Sequence, residues 1–594
     1  MMNRSRIWKL LLIAGLICYT GFVIAVRVPP ISGYELSIYQ AVPLLGWVLL
    51  SLVVITGVTL ILSYNTPKAQ LSGCSLFILF AIGMGGLPLL RGYEAFGSLD
   101  TLVHIGFINE ILVGRDISGD ILYPGMHHSA ALLVRVLEIS IGRALLICLA
   151  AHALCFVVFT ELSTRRVLSP RQATGYGAII GVVFAPIMTV QLAVMNPVPA
   201  TLAIFFLSVC IYAFIGYLSN DSRKGWRFLF ISLPVVLAVL HPQHAVAFTL
   251  SLGGIAIATS FINRKEWVHI RPRVFFLVAI IITMVVFLLV SSNPVFSGFF
   301  VSTLSGIFAG GTSAGAISGT ATGLTDIGGS IVGLALKILI PKVVISLTAT
   351  GVVLYAIREL IKECATSRLN ASIIYLGAGA VPVTGLVFAS FAAALLNQAT
   401  RYAGFILVLG SVLSGIGLAL TDSFAQKRPK FKAVIGIVAI VLILLSVPAL
   451  YSSPYVYQGS NHLPESEFTG YEFAFDHQDP EIGIASTRSR VDRHQMVYEG
   501  RIATINDPRN ASLKTGREST YFAPYHFNET SPSQSINETT YLVLPSADRK
   551  IDLELYNGYR YTEDDYRQLE TDQQVVKFYS NGHFNEYLIS DRQG

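Results

Sequence analysis

Long apolar runs recur along the first 450 residues of the chain, and short polar segments separate them. A helix needs about 20 apolar residues to cross a bilayer, and about 13 of the runs approach that length. They cover residues 7–27, 40–63, 74–90, 142–161, 173–192, 197–217, 227–240, 243–262, 274–291, 330–356, 371–395, 402–421 and 433–450. The pattern predicts a polytopic α-helical membrane protein whose first run is an uncleaved signal-anchor helix.

The pattern changes at Tyr451, where short alternating runs replace the long apolar ones. The segments TTYLVLPS, KIDLELYNGY and QVVKFYSNGHFNEYLIS alternate apolar and polar residues as strands do, and the last two contain Asn-Gly turns. We therefore expect two regions. Residues 1–450 form a multi-span membrane domain, and residues 451–594 form a small soluble domain of α+β or mostly β structure.

Composition and charge agree with this division. Of the 594 residues, 53% are hydrophobic and 13% are charged, whereas soluble proteins carry about 25% charged residues. Residues 1–450 hold 29 Lys and Arg against 14 Asp and Glu, and residues 451–594 hold 13 against 22. With the predicted spans, the basic clusters fall in alternate loops. The positive-inside rule then predicts a cell-membrane protein with a cytoplasmic N-terminus and an external C-terminal domain.

One segment between the third and fourth runs is polar and rich in chemistry. Residues 97–128, GSLDTLVHIGFINEILVGRDISGDILYPGMHH, concentrate carboxylates and imidazoles. Asp100 and His104 are four residues apart, so a helix that begins near Asp100 would carry both on one face. A carboxylate also suits the positive end of a helix. The spacing predicts that this pair shares a proton or holds a substrate.

The other loops predicted on the external face hold most of the remaining unusual polar residues of the membrane region. They are the turn His241–His244, a Gly/Ser/Thr-rich segment from about Ser292 to Ser330, and the segment Asn397–Tyr402. Intramembrane and interfacial polar groups are costly and commonly functional. Their convergence on one face predicts a site there.

Two features of this region have alternative interpretations. The glycine-rich segment Phe308–Ser330 is either a flexible linker or a mobile loop that closes over a bound lipid or acceptor. Lys337 and Lys342 lie in the next apolar run, where a lysine either snorkels to the interface or binds a lipid phosphate.

These residue types suit transfer of a sugar from a lipid phosphate. Such a reaction needs a base for the acceptor hydroxyl and a cation for the leaving phosphate. Asp100 is the candidate base, and His104 would orient it or bind the acceptor. Arg401, assisted by Lys337 or Lys342, is the candidate phosphate ligand, because a guanidinium matches phosphate geometry.

The pattern Asp100-x-x-x-His104, followed by Tyr123-Pro124 and His127, resembles archaeal members of the GT-C superfamily of polyprenyl-phosphate-sugar-dependent glycosyltransferases. These include the dolichyl-phosphate-mannose-dependent mannosyltransferases of haloarchaeal surface-protein N-glycosylation. The resemblance implies a GT-C fold, a mannosyl donor and transfer of a single sugar. The tail has no Trp-Trp-Asp-Tyr-Gly-like motif of the related oligosaccharyltransferases.

The expected partners are a polyprenyl- or dolichyl-phosphate-linked sugar, a glycan or glycoprotein acceptor, and membrane lipid, without nucleic acid. The candidate catalytic residues are Asp100 and His104. The candidate substrate-binding residues are His127, His128, His241, His244, Lys337, Lys342, Arg401 and Tyr402.

Two other classes of function stay open at this point. A multi-span transporter of a polar or anionic solute would also place polar residues among broken helices. The histidines could assemble a metal site, although their spacings match no zinc motif strongly. No cofactor is expected, and the metal requirement stays open.

Overall fold

The computed structural model describes the chain except for a set of short and long gaps. The gaps are residues 1–3, 65, 98, 116, 118–119, 169–173, 186–193, 220–222, 263–271, 292–323, 326, 364–366, 394, 427, 507–520, 528–530, 537 and 591–594. Most of the Phe308–Ser330 segment, predicted to be a linker or a closing loop, therefore lies outside the described residues.

Seventeen described helices precede the tail, and their lengths range from four to 33 residues. They are α1 (Arg4–Val26), α2 (Ile38–Ala41), α3 (Leu44–Ser63), α4 (Pro67–Gly85), α5 (Leu87–Arg91), α6 (Leu99–Leu112), α7 (Gly125–Leu137), α8 (Ile141–Val167), α9 (Tyr176–Gly181), α10 (Pro199–Leu218), α11 (Arg223–Leu240), α12 (Pro242–Ile262), α13 (Pro272–Ser291), α14 (Ile331–Glu363), α15 (Arg368–Ala392), α16 (Leu396–Ala425) and α17 (Pro429–Ser446).

Ten helices among the described residues are long and apolar enough to cross a membrane, namely α1, α3, α4, α8, α10, α13 and α14 to α17. They confirm the prediction of a multi-pass α-helical membrane protein. The count of about 13 spans is approximate. The predicted run 173–192, for example, contains only the six-residue helix α9 in its described part.

The helices bury small and aromatic side chains against one another in a single large core that includes Phe22, Phe77, Phe156, Phe205 and Tyr375. Outward-facing positions stay apolar as well, as in α13, where Phe276, Ile280 and Phe287 are exposed. A helix that is apolar on all sides fits a lipid environment.

Two segments that the sequence predicts as external loops are mostly helical in the structure. Leu240 ends α11 and Pro242 begins α12, so the His241–His244 turn is reduced to one residue and a proline-led helix start. The segment Asn397–Tyr402, predicted as a loop, lies instead in the first turns of α16. Arg401 is therefore presented from a helix.

The tail contains a five-stranded mixed sheet covered by short helices. The strands are β3 (Gly483–Ser486), β4 (Tyr521–Phe522), β5 (Thr540–Pro545), β6 (Val575–Ser580) and β7 (Phe584–Ile589), in the order β4-β3-β5-β7-β6. The β4, β3 and β5 strands are parallel, whereas β5, β7 and β6 pair antiparallel. This sheet confirms the expected α+β tail.

Six helices accompany the sheet, and one predicted strand is missing from it. The helices are α18 (Glu465–His477), α19 (Val491–Glu499), α20 (Arg501–Asn506), α21 (Pro532–Ser535), α22 (Ser546–Lys550) and α23 (Glu563–Thr571). The strand predicted for KIDLELYNGY is wrong, because Ile551–Leu555 is a helical turn. Asp548 and Asp552 are four residues apart and both buried, and they interact with Thr487 and Arg488. A spacing of four places both carboxylates on one face of a helix, so these contacts favour a helical turn over the strand that the apolar alternation predicts.

A small sheet and an ion-pair cluster attach the tail to the helices. Strand β1 (Ala95–Phe96) pairs antiparallel with β2 (His462–Leu463). Beside it, the guanidinium of buried Arg91 pairs with Glu35, and the ring of Tyr93 stacks on His462 with centroids 3.7 Å apart. The tail is thus anchored directly beside the start of α6.

Candidate active site

A cavity of about 250 Å³ lies where α6, α10, α12, α16 and the tail meet. This volume is close to the lower end of the range for small-molecule sites, roughly 300 Å³. Its polar lining consists of Asp100, His104, Asp120, Tyr123, His241, Arg401, Arg493 and Arg501. The cavity brings together four residues predicted from sequence, Asp100, His104, His241 and Arg401.

Helix α6 supplies the carboxylate and the first imidazole. Asp100 lies in the first turn of the helix and is exposed to the cavity, and His104 lies one turn later and is 8% exposed. The Nδ1 atom of His104 is 3.0 Å from Nε2 of His127 on α7. The hydrogen bond of His104 therefore goes to a second imidazole, while Asp100 faces the open space.

The other side of the cavity is formed by residues at the starts of helices α12 and α16. Arg401 donates from Nη1 to Oε1 of Gln243 at 3.2 Å, which holds the guanidinium at the cavity. The ring of His241 lies 5.2 Å from that of Tyr123, with the two planes 27° apart. The lining of this part thus combines one cation with a pair of stacked rings.

The tail forms a wall of the cavity by packing α19 and α20 on α6. A Cβ atom at Gly106 would lie 2.4 Å from the carbonyl oxygen of Met496, so the two backbones meet without space for a side chain. Asn109 donates to the carbonyl oxygen of Val497 at 3.1 Å, and the Ile502 amide donates to Oε1 of Glu110 at 3.0 Å. These contacts fix the position of the tail relative to Asp100.

Two tail arginines reach the cavity from this wall. Arg501 lies 3.9 Å from Asp120, and its guanidinium is 5.2 Å from the centre of the Phe107 ring. Arg493, in the first turn of α19, lines the same space. The two come from the protein's C-terminal region and would not be associated with α6 from sequence distance alone.

Burial sets the charge state of the imidazoles. It lowers the pKa of His104 to about 4, the Arg493 charge acts in the same direction and the Asp100 charge opposes it. Burial and the neighbouring His104 hold the pKa of His127 well below its usual range. Both rings are therefore neutral near pH 7. At that pH the cavity's charges are the carboxylates and the guanidiniums.

The other predicted binding residues lie at varied distances from the cavity. His127 is directly behind His104, and the His244 ring is 4.9 Å from that of His241. Tyr402 packs partly buried against the helical core, and His128 is exposed on α7.

The two predicted lysines are engaged elsewhere. Lys337 donates to the carbonyl oxygen of Tyr455 at 2.8 Å and lies over the rings of Tyr455 and Tyr457. Buried Lys342 donates to the Ile338 carbonyl one turn earlier in α14. The described lining of the cavity contains neither lysine.

Sequence reasoning missed Tyr123, Arg493 and Arg501 as lining residues, and Asp120 lies with them in the cavity. One signal was available for the arginines. Although the tail is acidic overall, the short stretch 488–501 carries four arginines, Arg488, Arg490, Arg493 and Arg501. Such a local reversal of charge favours an anion-facing surface.

Comparison with known proteins identifies the fold. No family model matches the chain, and no curated protein matches it in sequence. The oligosaccharyltransferase of Archaeoglobus fulgidus, solved with a tethered acceptor peptide, superposes with a TM-score of 0.50 at 12% identity, over 89% of this chain and 75% of that one. The chain has a GT-C membrane fold.

Two further solved structures are similar at lower TM-scores. ArnT from Cupriavidus metallidurans, bound to undecaprenyl phosphate, has a TM-score of 0.46 at 10% identity, over 88% of this chain and 97% of that one. The A. fulgidus oligosaccharyltransferase AglB, with an inhibitory peptide and a dolichol-phosphate, has a TM-score of 0.47 at 11% identity, over 86% and 74%. At such identities a likeness describes the fold, and activity has to be argued from the site.

Proposed function

We propose that this protein is a membrane glycosyltransferase that moves a single sugar, mannose, from a dolichyl or polyprenyl phosphate to a glycan or protein acceptor. The reaction would take place on the external face of the cell membrane, in protein N-glycosylation. The observation that carries the proposal is that Asp100 and Arg401 line the same cavity of a GT-C membrane fold.

Asp100 is the group available to act as the base. Its carboxylate lies in the first turn of α6 and is exposed to the cavity. It would accept the proton of the acceptor hydroxyl as that oxygen attacks the anomeric carbon. A general base typically contributes about 10²- to 10⁴-fold to the rate.

Arg401 is the group that would hold the leaving phosphate. The bond to Gln243 orients the guanidinium and leaves further N–H donors available for a ligand. As the glycosidic bond breaks, negative charge develops on the phosphate, and a preorganised cation stabilises that charge in the transition state. His104 and His127, both neutral, would support the acceptor side by hydrogen bonding.

The test is transfer of mannose from dolichyl-phosphate-mannose by the purified full chain. Asp100→Asn should lower the rate at least about 100-fold while expression and folding are retained. Glu138→Gln, at an exposed carboxylate outside the cavity lining, is the matched control and should keep the wild-type rate. Full activity of Asp100→Asn would show that another group is the base.

Dolichyl-phosphate-glucose serves as the second donor in the same assay, because transfer from it at an equal rate would contradict the mannosyl assignment. Solute accumulation in sealed vesicles, without sugar transfer, would favour the transport alternative instead.

A further inference from the structure

Two arginines of the tail, Arg493 and Arg501, line the cavity and have only distant carboxylate partners. Arg493 has its nearest carboxylate in Asp492, whose oxygen lies 3.8 Å from Nε. That carboxylate is already held by two hydrogen bonds of 2.8 and 2.7 Å from Arg490. Arg501 faces Asp120 at 3.9 Å, beyond hydrogen-bond distance. Among the described residues, no carboxylate therefore lies within hydrogen-bond distance of either tail guanidinium, and both arginines line the cavity.

Each of the two arginines also makes it less favourable to bury the positive charge of the other. Burial lowers the pKa of the Arg501 guanidinium, and the charge of Arg493 lowers it further, against the opposing charge of Asp120. Two like charges in a partly desolvated space are unfavourable unless an anion joins them. The two arginines nevertheless lie on a wall of the cavity that is held in place by the close backbone contact at Gly106.

Counting the charged lining residues gives a small positive surplus. Three guanidiniums, of Arg401, Arg493 and Arg501, face two carboxylates, of Asp100 and Asp120. The two lining imidazoles, of His104 and His241, are neutral near pH 7, because burial lowers the pKa of each ring. The surplus of one positive charge equals the single negative charge of a phosphodiester. A diphosphate diester, with two negative charges, would leave the cavity with a negative excess.

We propose that Arg493 and Arg501 of the tail bind the donor phosphate together with Arg401, and that the cavity is matched to one phosphodiester charge. The tail would then be part of the donor site, and a lipid monophosphate sugar would be preferred to a lipid diphosphate sugar. Guanidinium groups suit this role because their planar donors bind phosphate oxygens in pairs. The inference rests on the proposed function, which supplies the phosphodiester donor.

The experiment measures binding of farnesyl phosphomannose to the purified full chain in micelles. Arg493→Gln and Arg501→Gln should each weaken binding about tenfold or more, as expected for loss of a charge-assisted contact. Arg493→Lys, which keeps the charge, should lose less than Arg493→Gln. Arg549→Gln is the matched control, because Arg549 is an exposed tail arginine paired with Glu563 outside the cavity lining.

The unfolding temperature of each variant separates a binding effect from a folding effect. Arg493→Gln is the safer variant, since the only ion pair recorded for Arg493 among the described residues is the weak one to Asp492. Wild-type affinity in both glutamine variants would overturn the role of the tail arginines. If Arg401→Gln still abolished binding in that case, the proposed function would stand and this inference alone would fall.

Farnesyl diphosphomannose, with the same lipid and sugar, tests the charge match. The wild-type chain should bind it more weakly than the monophosphate, and Asp120→Asn, which removes one negative charge, should narrow the difference. Tighter binding of the diphosphate by the wild type would overturn the match to a single charge. If the wild-type chain bound neither compound, the failure would lie with the proposed function.

Discussion

The buried imidazole pair of His104 and His127 should make the protein sensitive to acid in a measurable way. The folded structure holds the pKa of His104 at about 4, whereas an unfolded histidine has a pKa of about 6.5. Between these values the unfolded chain binds more protons than the folded one. The free energy of unfolding therefore rises with pH across this window and falls as the solution is acidified.

The size of the effect follows from the pKa difference. At pH 5 the solution is about 1.5 units below the unfolded pKa, and each unit corresponds to about 1.4 kcal/mol, so His104 alone removes about 2 kcal/mol of stability relative to pH 7. Glutamine at this position has an amide that can still bond His127 but does not titrate. The His104→Gln variant should therefore lose about 2 kcal/mol less than the wild type over the same interval.

Denaturant titration of the purified chain in micelles measures the free energy of unfolding. Carried out at pH 7 and pH 5 with tryptophan fluorescence as the signal, it gives the pH dependence for wild type and variant. Groups distant from His104 titrate as well, but their contributions cancel in the difference between wild type and variant. His127 contacts His104, but burial is the largest cause of its lowered pKa and is present in both proteins. His128→Gln is the control, because His128 is the exposed neighbour of His127 and should leave the wild-type slope unchanged. Equal pH dependence in wild type and His104→Gln would refute the reasoning.

Three further predictions concern donor binding, packing and topology. Arg401→Ala should weaken binding of the lipid donor more than that of the acceptor, and equal effects in separate binding assays would indicate a structural role instead. Gly106→Ala should lower the free energy of unfolding by about 1–3 kcal/mol, because the new methyl group would meet the Met496 carbonyl oxygen at 2.4 Å. Gly253→Ala, with no atom within 4 Å of the added carbon, should be neutral or stabilising, and equal loss in both would contradict the packing argument. A cysteine introduced at exposed Ser129 in a cysteine-free chain should react with an impermeant reagent from outside the cell, and reaction only from the cytoplasmic side would reverse the predicted orientation.

The membrane architecture was predictable because its signal is local. Each spanning helix carries its own apolar run, so the predicted 40–63 and 142–161 correspond closely to Leu44–Ser63 and Ile141–Val167. The Asp100 and His104 spacing was equally local, and the structure places both on α6 at one cavity. The hydrogen bond between His104 and His127 was not predicted, because it depends on how α6 and α7 pack against each other.

The contribution of the tail was not predictable, because it depends on contacts between distant parts of the chain. Arg493 and Arg501 belong to short polar helices that resemble ordinary solvent-exposed ones. Only the docking of α19 on α6, with Gly106 against Met496, turns them toward Asp100. For Lys337 the opposite holds. Its charge in an apolar helix made it a candidate ligand from sequence, but in the structure it lies over the rings of Tyr455 and Tyr457, away from the cavity.

The long separation between the two walls of the cavity has a consequence for biosynthesis. Asn109 and Val497, which meet across the α6 and α19 contact, are 388 positions apart in the chain. A ribosome adding about 5–20 residues per second needs roughly 20 to 80 s to make the intervening polypeptide. For that time the Asp100 side of the cavity exists without its arginine wall. The nascent chain therefore holds an incomplete site until residues 491–506 have been made, and release before that point leaves a membrane protein without the arginine wall.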